Sequence, residues 1–237
     1  MVSVVDYWSK SLGTMRRAHV YTPPGYMKGK GNYPVLYLVH GYAFSDASWT
    51  SLGHSQYILD NLIAAGGAKP MILVMPFGHT PSRPGLNLMD NTDFGKDLAN
   101  DLVPYIDAHF RTLANANDRA MAGFSMGGMH TIRFGLTRPD LFHWIGIFSM
   151  GLGMRGNTEQ LANFEKVNDA ALREDARSLK LLYLAIGSDD PFYSTSAPTR
   201  VMFDKYGIRY VYHESGGAHN FSNWRRYLAD FAPRLFR

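Results

Sequence analysis

The chain of 237 residues contains no cysteine. This absence excludes disulfide bonds, thiolate metal sites and a cysteine nucleophile. It leaves the cellular compartment open, because a chain of this length can fold without disulfides. The sequence also lacks an H-E-x-x-H motif, a histidine pair at metal-ligand spacing, a P-loop and a G-x-G-x-x-G motif opening a helix. We therefore expect neither a metal nor a cofactor.

Long apolar runs and clusters of one charge are absent as well. No apolar run approaches the length that crosses a membrane, and residues 1–10 lack the charged start and apolar stretch of a signal peptide. The formal net charge is only +4, and Lys and Arg are spread along the chain. Nucleic-acid-binding proteins usually gather such residues into a stripe or an arm. We expect no nucleic-acid partner, no membrane association and no signal peptide in this chain.

Short apolar runs alternate with segments of helical period, such as residues 57–63 and 98–106. This alternation predicts an α/β fold, with a mostly parallel central sheet and helices on both faces. No repeat or Gly/Ser linker divides the chain, so residues 1–237 are expected to form one domain. The predicted strands are residues 17–22, 35–39, 71–75, 120–124, 144–148, 181–185 and 209–213. Two loops, 78–92 and 151–157, either build an active-site rim or serve as plain connections.

The segment from Gly123 to Gly127 (GFSMG) matches the G-x-S-x-G nucleophile elbow. This chemistry requires a serine on a strained strand-to-helix turn, flanked by glycines that let strand and helix pass close together. Alone the motif is weak, but a predicted strand precedes it and a helical pattern follows it. We expect Ser125 to be a nucleophile.

A serine nucleophile needs a histidine base and an orienting acid, which follow it along the chain in this fold. Four of the nine histidines follow Ser125. His130, His143 and His213 fall in or beside regular elements and are expected to pack there. His219 follows a flexible glycine-containing loop after the last strand, and it is the candidate base.

The candidate acid lies just after the predicted strand at 181–185. Asp189 and Asp190 are adjacent there, so one can face the histidine while the other caps the next turn. Two backbone amides should bind the oxyanion. One belongs to Met126, directly after the serine, and the other to Tyr42, after His40-Gly41 at the end of an N-terminal strand.

These segments together resemble the carbohydrate esterases that include feruloyl and acetylxylan esterases, relatives of the esterase D type hydrolases with an α/β-hydrolase fold. The resemblance extends over nearly the whole chain. The family's G-x-x-D pattern falls on Gly187 and Asp190, which favours Asp190 as the acid. Its G-x-H-x-F-x-x-W pattern places His219 at the histidine position, with the other matches at Gly217, Phe221 and Trp224. The chain departs from the family after His40-Gly41, where it has Tyr42-Ala43-Phe44.

The resemblance implies a serine esterase, specifically a feruloyl esterase that releases hydroxycinnamic acids from plant cell-wall xylan through an acyl-enzyme intermediate. Its substrates would be small esters or feruloylated or acetylated xylan fragments, and its location secreted or periplasmic. Three alternatives stay open: an acetylxylan or other small-acyl esterase, an acyltransferase to a sugar acceptor, and a non-catalytic binding module. Four aromatic residues near the site either wall an acyl pocket or pack loops onto the sheet: Tyr42, Phe44, Phe192 and Tyr193.

Overall fold

The apolar runs of the sequence form strands of one β-sheet. The computed structural model describes residues 1–84, 91–153 and 156–237. In chain order, the strands β1 to β8 are Val2–Ser9, Thr14–Tyr21, Val35–Val39, Ile72–Pro76, Arg119–Phe124, Trp144–Phe148, Leu181–Gly187 and Val211–Ser215. They form one sheet in the order β1-β2-β4-β3-β5-β6-β7-β8.

Most of this sheet is parallel. Strands β3 to β8 pair in parallel, whereas β1 and β2 form an antiparallel hairpin and β2 pairs antiparallel with β4. The carboxyl ends of β5, β7 and β8 consequently meet at one edge of the sheet. Loops following parallel strands at this edge commonly carry binding and catalytic groups.

The strand predictions were wrong at both ends of the sheet. The predicted strand at 17–22 is the second half of a hairpin, whose first strand, β1, was not predicted. The predicted strand at 209–213 lies two residues later, at Val211–Ser215. Both errors have one cause: β1 and β8 are edge strands with partly exposed side chains, so neither forms a continuous apolar run.

Most helices connect successive strands, and α8 follows the last strand. In chain order, α1 to α8 are Ser48–Ser51, Ser55–Ala64, Asp93–Asp97, Val103–His109, Met126–His130, Thr158–Ser178, Ser196–Tyr206 and Phe221–Phe231. One π-helical segment, Leu98–Leu102, joins α3 to α4, and another, Thr131–Gly135, continues α5. The predicted helical segments at 57–63 and 98–106 coincide with α2 and with this α3–α4 unit. The long helix α6 was not predicted, because few of its side chains are buried.

The sheet is covered on both faces. Along β3, Val35, Tyr37 and Val39 join one buried cluster, while Leu36 and Leu38 join the other, as the twofold alternation of a strand requires. The first cluster includes residues of α3, α4 and α5, and the second includes residues of α2 and α8. This arrangement confirms the predicted mostly parallel α/β fold.

Parts of the two predicted rim loops lie outside the described residues, namely 85–90 of the loop 78–92 and 154–155 of the loop 151–157. Among the helices that the structure describes, none is both long and apolar enough to cross a membrane.

Candidate active site

Ser125 lies in a sharp turn between the end of β5 and the start of α5. Its φ of 55° and ψ of −120° are rarely adopted by a residue with a side chain. Its backbone N–H donates to the Phe148 carbonyl on the neighbouring strand at 3.0 Å, which helps to hold the turn. The predicted strand–turn–helix context of the nucleophile elbow is therefore present.

The glycines on either side of Ser125 are required by close packing. A Cβ on Gly123 would lie 2.6 Å from the backbone of Gly127. A Cβ on Gly127 would lie 2.3 Å from the Val39 carbonyl oxygen and 2.7 Å from that of His40. Distances this short leave no room for a side chain, so the glycines allow the elbow to sit against β3.

Asp190 and His219 form a hydrogen-bonded pair. The His219 Nδ1 lies 2.9 Å and 3.1 Å from the two carboxylate oxygens of Asp190. The Asp190 side chain is fully buried, and one of its oxygens also accepts from the Phe192 N–H at 2.9 Å. The neighbouring Asp189 is exposed. The structure thus brings Asp190, rather than Asp189, to the histidine.

Because Asp190 occupies Nδ1 of His219, Nε2 is the ring nitrogen that remains for another partner. Nδ1 donates its proton to the carboxylate, so Nε2 is the acceptor in the neutral imidazole. The His219 side chain is 22% exposed, while its partner carboxylate has no contact with solvent. A buried carboxylate hydrogen-bonded to a partly exposed imidazole is the pairing that lets a histidine accept a proton from a serine.

The other three histidines that follow Ser125 are held elsewhere. His130 is buried within α5. His143 lies 3.0 Å from the Asn117 side-chain oxygen, and His213 on β8 lies 3.9 Å from a carboxylate oxygen of Asp230. Of the three, His130 is fully buried as a packing role requires, whereas His143 is partly exposed and the His213 side chain is 41% exposed.

Trp224 links the His219 ring to β5, the strand that leads into Ser125. Its indole stacks on Phe124 at a centroid distance of 3.8 Å, and it meets the His219 ring edge-to-face at 5.0 Å. The indole N–H donates to the Ser149 hydroxyl at 2.9 Å. Ser149 directly follows β6 and has a φ of 51°. No sequence motif predicted a role for it. These contacts fix the orientation of the His219 ring from behind.

The two predicted oxyanion donors lie next to the elbow. Met126 is the first residue of α5, where backbone N–H groups lack an intrahelical acceptor. Tyr42 lies in a turn closed by the Phe44 N–H, which donates to the Gly41 carbonyl at 3.1 Å. A Cβ on Gly41 would lie 2.5 Å from the Phe124 ring, so this turn packs directly on the residue that precedes Ser125.

The four aromatic residues of the predicted rim have different environments. Phe44 packs edge-to-face against Phe124, Phe221 and Trp224. It therefore packs its loop onto neighbouring elements and does not wall an acyl pocket. The Tyr193 hydroxyl donates to Glu214. Tyr42 is 67% exposed, and the Phe192 ring lies 5.1 Å from the His219 ring. Two of the four, Tyr42 and Phe192, thus remain as candidate contacts for an acyl group.

His40, a buried histidine directly before the turn that contains Tyr42, was not predicted to have a role. His40 is 1% exposed, and burial lowers its pKa to about 4, so its ring is neutral near pH 7. The dipeptide His40-Gly41 alone gives no signal of this, because its ring partner Gly78 is distant in sequence. Within the described ranges, no three histidine, aspartate or glutamate side chains cluster in a way that could hold a metal ion.

The chain is similar to known esterases both in sequence and in structure. The family model Esterase, described as "Putative esterase", matches residues 9–235. An endo-1,4-beta-xylanase/feruloyl esterase of Xylanibacter ruminicola is 36% identical over 246 residues, which cover all of this chain and 31% of the relative. An esterase of Mycobacterium tuberculosis is 27% identical over 91% of this chain and 55% of its own length. The chain thus spans about a third to about half of these curated relatives.

A solved structure of a ferulic acid esterase from the anaerobic fungus Anaeromyces mucronatus superposes with a TM-score of 0.82. It is 23% identical in sequence, and the match covers all of this chain and 90% of that one. This similarity confirms the predicted α/β-hydrolase fold. The resemblance to feruloyl esterases that was predicted from the motifs is also confirmed by the sequence relative.

Proposed function

This chain belongs to the Esterase family, and we propose that it is a serine carboxylic-ester hydrolase with Ser125, Asp190 and His219 as its catalytic triad. The observation that carries the proposal is the Asp190–His219 pair, placed at the same sheet edge as the strained Ser125 turn. A buried carboxylate bonded to Nδ1 fixes the tautomer in which Nε2 can accept a proton.

The proposed reaction has two steps. In the first step, Ser125 Oγ attacks the ester carbonyl while His219 Nε2 takes the proton of the Ser125 hydroxyl. His219 then gives this proton to the leaving alcohol, and the acyl-enzyme remains. The amides of Met126 and Tyr42 stabilise the oxyanion of each tetrahedral intermediate. His219 then takes a proton from water, which attacks the acyl-enzyme, and returns that proton to Ser125 Oγ as the acyl–serine bond breaks and the carboxylic acid leaves. Asp190 orients the imidazole and stabilises its charged form.

For the acyl group we propose a hydroxycinnamoyl group, such as feruloyl, carried on xylan fragments. The xylanase/feruloyl esterase named above supports this choice by sequence, and the ferulic acid esterase supports it by fold. The Phe192 ring beside His219 and the exposed Tyr42 ring offer flat apolar contacts to an aromatic acyl group. A secreted or periplasmic location follows only from the resemblance to cell-wall esterases.

The test is an ester panel with the purified chain. Methyl ferulate and a feruloylated oligosaccharide should have a higher kcat/KM than acetyl esters, including acetylated xylan. Ser125→Ala should lose nearly all hydrolysis of every ester while keeping the wild-type melting temperature. A preference for acetylated xylan would reject the feruloyl assignment alone. Hydrolysis by Ser125→Ala at the wild-type rate would reject the triad.

A further inference from the structure

The peptide group between Gly41 and Tyr42 is held by a histidine side chain. Its N–H is the proposed oxyanion donor of Tyr42, and its C=O is the Gly41 carbonyl. His40 Nδ1 lies 2.7 Å from that carbonyl oxygen. Because a carbonyl oxygen only accepts, Nδ1 carries the proton and donates it. The hydrogen bond therefore acts on the same rigid, planar unit that presents the donor to the oxyanion.

We propose that His40 is a positioning residue of the oxyanion hole, which orients the Gly41–Tyr42 peptide through its Nδ1–H. The assignment rests on the proposed esterase function, because it names a group that supports the donor of that reaction. His40 itself lies one peptide away from the reacting atoms and does not contact them. Its effect is to fix the direction of the Tyr42 N–H before the oxyanion forms.

The second ring nitrogen of His40 sets the tautomer that this role needs. The Gly78 N–H donates to His40 Nε2 at 2.8 Å, so Nε2 is an acceptor and the proton is confined to Nδ1. Both nitrogens of a fully buried ring are thus satisfied by backbone groups. A side chain used only to fill space would be less costly if it were apolar, since a buried polar ring must keep every hydrogen bond.

Gly78 connects the His40 ring to the other oxyanion donor. Its carbonyl lies 3.1 Å from Nε2 of His130, the last residue of α5, whose first residue is Met126. A Cβ on Gly78 would lie 3.1 Å from both the Met126 methyl and a Val39 methyl, so this loop packs directly on the Met126 side chain and on β3. Through one peptide segment, the helix that carries one amide is therefore fixed to the turn that carries the other.

His79, the residue after Gly78, holds the peptide that follows Tyr42. His79 Nε2 lies 2.6 Å from the Tyr42 carbonyl oxygen and donates to it. The His79 carbonyl in turn accepts from the guanidinium of Arg16, which forms a buried ion pair with Asp97. The peptides before and after Tyr42 are thus both anchored to the segment 78–79. Because the turn is held on both sides, the Tyr42 amide needs no reorganisation when negative charge develops on the oxyanion.

Two substitutions, each of which replaces one ring nitrogen of His40 by an amide, separate the roles of Nδ1 and Nε2. In His40→Asn the amide nitrogen takes the place of Nδ1 and can still donate to the Gly41 carbonyl. In His40→Gln the amide reaches the place of Nε2, and the donor to Gly41 is lost. We expect His40→Gln to lower kcat about 10- to 100-fold with little change in KM, less than the 10²–10³-fold typical of removing a donor outright. His40→Asn should recover most of that loss.

A boronic acid that adds to the serine measures the oxyanion hole without turnover. Its inhibition constant should rise in His40→Gln by the same factor by which kcat/KM falls, while the affinity for free ferulate stays at the wild-type value. Leu172→Ala, a core change on the buried face of α6, is the stability control and should lower the melting temperature without lowering kcat. Equal losses in His40→Gln and His40→Asn, or losses that follow the melting temperature in all three variants, would overturn the assignment.

The wild-type protein provides a measurement that needs no variant. In ¹⁵N-histidine-labelled protein, His40 should show a protonated Nδ1 and an unprotonated Nε2. The opposite tautomer would overturn the assignment even if His40→Gln failed to fold. If the wild type is active and His40→Gln has the same kcat, the role of His40 alone is rejected. If the wild type has no esterase activity, both the proposed function and this role are rejected.

Discussion

Asp175 is a buried carboxyl group on α6 and is not a member of the proposed triad. Its residue is 1% exposed, and neither carboxylate oxygen has a hydrogen-bond partner among the described residues. Burial, together with the nearby negative charge of Glu174, raises the pKa of Asp175 to about 8. The group is therefore protonated in the folded protein at pH values where it ionises in the unfolded chain.

The sign of the resulting pH dependence follows from this difference. Because the folded pKa lies above the unfolded value, the contribution of Asp175 to stability is fully present below about pH 4. It is lost progressively as the pH rises through the folded pKa near 8. With about 1.4 kcal/mol for each pH unit between the two values, the loss is on the order of 5 kcal/mol at most. Asp175→Asn removes the ionisable group at nearly constant volume.

Urea unfolding at pH 5 and pH 8 tests this magnitude. We expect the free energy of unfolding of Asp175→Asn, relative to wild type, to increase by several kcal/mol between the two pH values. Asp169→Asn is the matched control, because Asp169 lies on the same helix but is half-exposed and paired with Arg173. Its profile should run parallel to that of wild type. Parallel profiles for Asp175→Asn would refute the assignment of a neutral buried carboxyl.

Two further changes test the site. Asp190→Asn should lower kcat by about four orders of magnitude, because an amide stabilises the wrong His219 tautomer, while Asp189→Asn should have a small effect in the same ester assay. A larger loss in Asp189→Asn would transfer the acid role to that residue. Gly127→Ala should lower the free energy of unfolding by about 2 kcal/mol or more, since its Cβ would press on the Val39 carbonyl. A wild-type melting curve for this variant would contradict the packing argument at the elbow.

The central part of the fold could be predicted because its strands are buried on both faces. Strands such as Val35–Val39 and Trp144–Phe148 are continuous apolar runs, so their sequences carry a strong local signal. The Ser125 elbow was predicted from short-range spacing plus a predicted strand and helix, and the structure shows that context. The pairing of His219 with Asp190 agrees with the spacing of the motifs that contain them, although the catalytic role of the pair stays a prediction.

Other features depend on contacts between distant segments, so their local signal is weak or missing. β1 and β8 lie at the sheet edges, where exposed side chains interrupt the apolar pattern. The environment of His40 is set by Gly78, and the Trp224 indole is held by Ser149. Each of these pairs is separated by dozens of residues in sequence, so only the folded chain brings its members together. The extension of one domain over residues 1–237 stays a prediction.

Peptide mapping after labelling with a fluorophosphonate addresses the proposed nucleophile directly. This reagent phosphonylates an activated serine and requires the same base and oxyanion donors as ester hydrolysis. We expect one adduct per chain, located on Ser125 by mass spectrometry, with labelling much slower in Asp190→Asn and absent in Ser125→Ala. An adduct at another serine, or an enzyme that hydrolyses esters while resisting the reagent, would contradict the assignment of Ser125 as the nucleophile.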